Sequence, residues 1–202
     1  CITKYDCFNY YTIRPWLKYP ELQNDNIETL FLDSKNNLWI GTKSGGLSKL
    51  EIKTHKLTNL NSILTNTTKS SLRIRAIEED NEGNIWVGTH QKGIYVLDPI
   101  LEKTIQHHDN TEFRFIKKDT EGNIWFTQGF QLKKYAPEKK QMFSYDTGDY
   151  VSTLVDDPSR NCLWFGTISP NEKHHIIKFN KSTNKLTKIY TNIPSEFTST
   201  LV

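Results

Sequence analysis

A tryptophan at the centre of a short apolar burst, led by an aspartate turn, recurs four times in this chain. The stretches are DSKNNLWIGT (33–42), DNEGNIWVGT (80–89), DTEGNIWFTQ (119–128) and DPSRNCLWFGT (157–167). Their tryptophans, Trp39, Trp86, Trp125 and Trp164, are 47, 39 and 39 residues apart. A period of about 40 to 50 residues restricts the chain to a solenoid, a propeller or an array.

Each unit follows one internal grammar. A short apolar strand comes first: IETLFL (27–32), IRAIEE (74–79), FRFIKK (113–118) and VSTLVD (151–156). The Asp-led turn follows; its carboxylate can accept backbone amides ahead of it, and Gly83 and Gly122 supply the left-handed residue, a slot that Asn36 fills in the first unit. The fourth turn is one residue longer and begins Asp157-Pro158. After the Trp strand come a third strand, LSKLEI, IYVLDP, LKKYAP and IIKFNK, and a fourth, KLTNL, KTIQHH, QMFSY and KLTKIY. The connections are read as too short for any helix. Four strands in roughly 40 residues, with a Trp in each set, describe the blade of a β-propeller. A blade is covered on both faces by its neighbours, so the Trp strand is a continuous apolar run. The indole is expected to fill the wedge between blades, worth about 1.5–3 kcal/mol or more on burial.

Composition agrees. Aromatics make up 12% of the chain and only Ala76 and Ala136 are alanines, which favours strands over helices. A net charge of +3 with both signs interspersed gives no nucleic-acid footprint. No apolar run approaches the roughly 18 residues of a bilayer-spanning helix. Cys1, Cys7 and Cys162 show no C-x-x-C spacing, so neither a disulfide framework nor a zinc site is expected. A Cys1–Cys7 bridge and free thiols both stay open.

The expected organisation is a single all-β propeller segment. Residues 1–19 supply the outer strands of a partial blade, 20–60, 61–108, 109–145 and 146–190 are four complete blades, and 191–202 opens the next. This is the pattern of an arc cut from a larger propeller. A ring closed through its two ends would contain a blade without its Trp strand.

The motif D-x-x-G-N-[IL]-W-[IVF]-G-T, followed by G-G-[LI] and a strand ending in an acidic residue, resembles the two-component regulator propeller repeat. The third unit departs from it with Thr127-Gln128 in place of Gly-Thr, and the fourth departs in its turn and in the loop 168–175. The resemblance implies a periplasmic sensor region of a hybrid two-component regulator of the Bacteroides type. Its propellers sense breakdown products of complex glycans or hold the receptor dimer. The membrane helix, histidine kinase and DNA-binding regulator are expected beyond this segment, so no kinase chemistry is assigned to any residue here.

Ligand residues are expected on the face that carries the loops between second and third strands (43–46, 90–93, 128–131, 168–175) and the inter-blade connectors, because these vary on a rigid scaffold. His90, Lys92, Gln128 and Phe130 lie on those loops. Glu28, Arg75, Arg114 and Ser152 occupy one shared position in four first strands; Arg75 and Arg114 offer guanidinium forks to a carboxylate or sulfate. Pairing with Glu28, Glu78 or Glu79 is the structural alternative. Trp16, Tyr19 and Phe130 are aromatics able to stack on sugars, with packing or a subunit contact as the alternative. His107-His108 and His174-His175 are poor chelators, since neighbours on a strand point to opposite sides. No cofactor and no metal is expected, and the partners read from the chain are an oligosaccharide and a second receptor copy.

Two other classes compete. The GNIWFTQ phrase also resembles the streptogramin-lyase propeller repeat, which needs a converging His and acid; His90 and Glu172 are the loose candidates, and loss of activity in His90→Ala would favour that enzyme. A protein-interaction scaffold of the WD-repeat kind is the second, although the Trp-Asp pair is replaced here by Trp-x-Gly-Thr. A sugar that raises the melting temperature by several degrees is the outcome expected of a sensor, whereas concentration-dependent melting without any sugar response marks an assembly scaffold.

Overall fold

The computed structural model describes 2–5, 10–13, 22, 24, 26–65, 72–108, 113–168 and 175–190. The Cys1–Cys7 pair, Trp16, Tyr19, Glu172, His174 and the segment 191–202 lie outside the described residues. The chain divides into two compact units, Cys1–Thr111 and Glu112–Val202.

The first unit opens with a hairpin of β1 (Ile2–Tyr5) and β2 (Tyr10–Ile13). Two four-stranded antiparallel sheets follow. One orders β3 (Ile27–Leu32), β4 (Asn37–Thr42), β5 (Leu47–Glu51) and β6 (Lys56–Asn59); the other orders β7 (Ile74–Glu79), β8 (Ile85–Thr89), β9 (Ile94–Asp98) and β10 (Lys103–His108). The second unit repeats the plan with β11 (Ile116–Lys118), β12 (Ile124–Gln128), β13 (Gln131–Ala136) and β14 (Gln141–Asp146), then β15 (Tyr150–Asp157), β16 (Cys162–Ile168), β17 (His175–Asn180) and β18 (Lys185–Tyr190). Each sheet is an up-and-down meander in chain order, the blade of a propeller. Among the described residues no helix is long and apolar enough to cross a membrane.

The secondary structure departs from expectation in two places. The connector after β6 holds a helical turn, Asn61–Thr65, where no helix was expected. Asn61 is fully buried there: its Oδ1 accepts the Leu47 N–H at 2.9 Å and its Nδ2 donates to the Gly45 carbonyl at 2.9 Å. A side chain at Gly46, whose φ is +75°, would overlap Asn61 Oδ1, so the Gly-Gly pair lets this plug seat. The other departure is β11, which begins at Ile116 rather than residue 113.

The Trp strands are buried on both faces as the apolar runs require. In the first unit Trp39 sits in one core with Ile74, Ile77, Ile85 and Val87 of the following blade. In the second, Trp125 meets Phe165 and Phe179 of the following blade at ring distances of 6.1 and 5.0 Å. The indole thus packs forward into the gap between blades.

A polar tie fixes each of these indoles. Asp33, Asp80 and Asp119 are 4–5% exposed. One carboxylate oxygen accepts the backbone N–H groups two and four residues on; the other accepts the Asn side chain at the fourth residue and the Trp Nε1–H at the sixth. The indole bonds are 2.8, 2.9 and 2.8 Å. Burial pushes the Asp33 carboxyl up, but the Trp39 and Asn37 hydrogen bonds outweigh it and hold it below its ordinary value. The fourth blade differs. Cys162 occupies the Asn slot and is buried, Asn161 takes the left-handed conformation with φ 49°, and Arg160 Nη1 claims Asp157 Oδ2 at 2.8 Å. The Trp164 bond to Asp157 is 3.4 Å, and Trp164 is only half-buried, short of the full burial expected for all four tryptophans.

A second tie joins blades within each unit. Ser34 donates its N–H and Oγ–H to Glu79 at 2.8 and 2.7 Å. Thr120 does the same to Asp156, at 2.7 Å for both. In the second unit the nearly buried Lys181 adds Nζ contacts of 2.9 Å to Asp156 and 3.5 Å to Glu121.

Replacing Asp80 by Ala strands the buried Trp86 N–H and the turn amides. The expected loss is about 3 kcal/mol in a urea unfolding curve. Asp157→Ala is expected to shift the same midpoint far less, because its indole bond is long and half-exposed.

Candidate functional site

The shared first-strand position is created by a β-bulge. The ladder slips by one residue between Ile27 and Thr29, between Ile74 and Ala76, and between Val151 and Thr153. The residues caught in the slip are Glu28, Arg75 and Ser152. A bulge re-aims its extra side chain away from the regular pleat. Opposite each bulge lies the Gly of the Trp-x-Gly-Thr motif. At Gly41 an added Cβ would stand 2.5 Å from Thr29 Cγ2 and 2.7 Å from Ile74 Cγ2, so only glycine fits there.

The third blade shows what happens without that glycine. Thr127 stands in its place, the first strand shortens, and Thr127 Oγ1 accepts the Arg114 N–H at 2.9 Å. Arg114 therefore precedes its strand instead of bulging from it. The threonines of the Gly-Thr pairs act differently: Thr42 and Thr89 donate Oγ1–H to the Gly46 and Gly93 carbonyls. The loops 43–46 and 90–93 are thus tight turns of one design, and their variation lies in side chains alone.

In the first unit these features gather charge. Glu28 accepts Arg73 Nε at 2.8 and 2.7 Å and Arg73 Nη2 at 2.6 Å. The Arg73 hydrogen bond, with help from the Arg73, Arg75 and Lys43 charges, overcomes burial and holds the Glu28 carboxyl below its usual value; Glu28 in turn raises Arg73. His90 donates its backbone N–H to the Arg73 carbonyl at 2.8 Å. Burial, then repulsion from Arg75 and Arg73, lowers the His90 ring below 6.5, with Glu28 opposing. Lys92 is exposed, and its carbonyl accepts His107 Nε2–H at 2.7 Å. His107 stacks on Tyr95 and His108 on Trp86, on opposite faces of β10. Arg73 is the member that sequence reasoning missed; its signal was the Arg-x-Arg spacing with Arg75.

In the second unit the expected residues meet around one they did not include. Tyr150, which opens β15, lies 4.5 Å from the Phe130 ring on one side, with the Arg114 guanidinium 4.5 Å from its ring centre. Phe130 is 43% exposed, and its carbonyl accepts the Thr147 N–H at 3.0 Å, which steadies the loop. Gln128 is exposed and pairs with Gln131. Ser152 Oγ donates to the Gly166 carbonyl at 3.1 Å, which ties it to its own sheet. Beside it, β11 and β15 border an open groove of about 420 Å³ lined by Phe115, Ile116, Lys117 and Ser152–Val155. Arg75 and Arg114 fall in different units and each acts in its own setting. Among the described residues no three His, Cys, Asp or Glu side chains group as metal ligands.

Residues 21–44 and 68–91 match the family model described as two component regulator propeller. Both matches lie in the first unit, offset by the Trp39-to-Trp86 spacing, so the chain carries two-component regulator propeller repeats there. No curated protein matches the chain. Among solved structures, the chain is similar to the extracellular domain of the BT4673 system of B. thetaiotaomicron. That domain is described once as part of a one component system and once as part of a hybrid two component system. The identities are 18% and 19%, the TM-scores 0.65 and 0.64, and the matches cover 86% and 85% of this chain. The β-propeller domain of Cps50 (Swd1) from Myceliophteria thermophila matches at 9% identity and TM-score 0.61, over 85% of this chain and 57% of its own. These likenesses establish the propeller fold. The chain spans about a quarter of the BT4673 structures.

The first-unit cluster makes a titration test. His90 is expected to titrate below 6.5 in an NMR pH series. Arg75→Gln removes a repelling charge and moves the value up, and Glu28→Gln removes the attracting charge and moves it down.

Proposed function

We propose that this chain is the extracytoplasmic sensor segment of a hybrid two-component signalling receptor, that it is non-catalytic, and that it responds to glycan breakdown products in the periplasm. The observation that carries the carbohydrate reading is the Arg114–Tyr150–Phe130 platform. Phe130, 43% exposed and beside the Tyr150 ring that Arg114 covers, offers the apolar face of a sugar ring a stacking surface, with polar groups at its edge. It lies where the second-to-third-strand loop meets the connector into the next blade, which are the variable parts of a fixed scaffold. The two regulator-propeller repeats and the similarity to an extracellular domain of such a system support the receptor context.

A second reading has an observation of its own. Ile100, Leu101 and Ile105 are 74%, 60% and 47% exposed at the outer edge of the second blade. Such a patch suits a subunit contact, and it is compatible with a receptor that works as a homodimer.

The reading is tested by thermal unfolding of the 202-residue chain against a panel of neutral and acidic oligosaccharides. At least one is expected to raise the melting temperature by several degrees. Tyr150→Ala and Phe130→Ala are each expected to weaken that binding tenfold or more while leaving the unliganded melt nearly unchanged. Absence of any sugar response, together with melting that depends on protein concentration, would replace sensing with assembly.

A further inference from the structure

Arg114 is held in place without being neutralised. Its guanidinium lies 4.5 Å from the centre of the Tyr150 ring, and its backbone N–H goes to the buried Thr127 Oγ1 at 2.9 Å. An aromatic face attracts the cation but leaves the N–H donors at the guanidinium edge unspent. The side chain is exposed, and among the described residues no carboxylate comes within ion-pair distance of it. The two acids of the connector before Tyr150 are committed elsewhere. Asp146 Oδ1 accepts the Gly148 N–H at 2.9 Å, and Asp149 Oδ2 lies 3.1 Å from Lys188 Nζ and 4.0 Å from His175 Nε2.

The same tyrosine meets Phe130 at 4.5 Å, so one ring supports both an exposed apolar face and a cation with donors to spare. The frame beneath them is rigid. Buried Thr147 donates its N–H to the Phe130 carbonyl at 3.0 Å, and its Oγ1 lies 2.7 Å from the Asp149 carbonyl. Asp149, itself buried and gripped by Lys188, fixes the residue before Tyr150. An exposed ion pair gains little when two long side chains must first be ordered, but this guanidinium is already ordered by the ring. A carboxylate is planar, and its two oxygens match a guanidinium edge.

We propose that Arg114 selects the ligand of this platform, and that the ligand is an oligosaccharide bearing a uronic acid. A sugar ring stacks on Phe130, and the carboxylate takes the guanidinium edge of Arg114. Tyr150 is the pedestal for both contacts. The assignment rests on the sensor reading above, whose platform it uses. It also gives the third blade's departure from the repeat a purpose. Thr127 in place of the motif glycine removes the bulge, and Arg114 comes to lie over Tyr150 rather than in a bulge like its counterparts.

The test uses the 202-residue chain in calorimetric titration with two matched pairs of trimers: galacturonic acid against galactose, and mannuronic acid against mannose. In at least one pair the acidic trimer is expected to bind about tenfold more tightly than the neutral one. That preference is expected to shrink as salt is added. Arg114→Gln is expected to erase it, and Arg114→Lys, which keeps the charge but not the fork, to keep part of it. Lys139→Gln removes the same charge from the turn between β13 and β14 and is expected to leave the preference intact. If Arg114→Gln does not fold, Arg114→Lys decides, by a severalfold loss of preference. Equal binding within both pairs, a preference that both Arg114 variants retain in full, or a preference lost equally in Lys139→Gln overturns the proposal. Equal binding that Phe130→Ala removes leaves the sensor reading standing and strikes the acidic assignment alone. No response to any of the four trimers overturns the proposal as well, and the wider sugar panel then decides the sensor reading by itself.

Discussion

One carboxylate in each of the first three complete blades organises the turn, the strand after it and the wedge between blades. Asp33, Asp80 and Asp119 each gather four donors, and the last is the indole N–H of the tryptophan six residues on. Without that acceptor, a tryptophan could not bury its N–H inside an apolar gap at acceptable cost. With it, the largest side chain of the repeat becomes a rigid plug. The turn fixes the tryptophan, and the tryptophan fixes the distance to the next blade.

The same turn then reaches sideways. The residue after the aspartate, Ser34 or Thr120, donates twice to an acid at the end region of the next blade's first strand, Glu79 or Asp156. Polar clamping at the turn face and aromatic packing in the wedge therefore stabilise one junction from two directions. The opposite face is released from that work. Its bulges and loops are held by glycine and threonine, and their side chains are left to vary. The basic cluster of the first unit stands at that end of its own blades, and the aromatic platform of the second unit at that end of its own.

Much of this was legible in the chain. The Trp period gave the blades, and the continuous apolar runs gave burial on both faces. The positive-φ slots were correctly placed at Asn36, Gly83 and Gly122. The departure at Thr127-Gln128 was visible too, though not its meaning: a Cβ opposite the first strand removes the bulge and shortens β11. Glu28, Arg75, Arg114 and Ser152 share a position in the repeat, but their fates differ. Glu28 and Arg75 join one charge cluster, Arg114 covers a tyrosine, and Ser152 bonds its own sheet. A single position in a repeat cannot reveal which neighbour will stand across from it.

By itself the sequence determined the repeat, the strand order within a blade and the residues that must be buried, because these depend on spacing along a few neighbouring strands. Tertiary structure alone decided that Arg73 grips Glu28 across two blades and that Tyr150 meets both Phe130 and Arg114. It also decided that Asn61 plugs the loop at Gly45-Gly46. Those pairs are 45, 20, 36 and about 15 residues apart in the chain. What brings them together is the packing of one blade against the next, an interaction that has no local signature in the residues it joins.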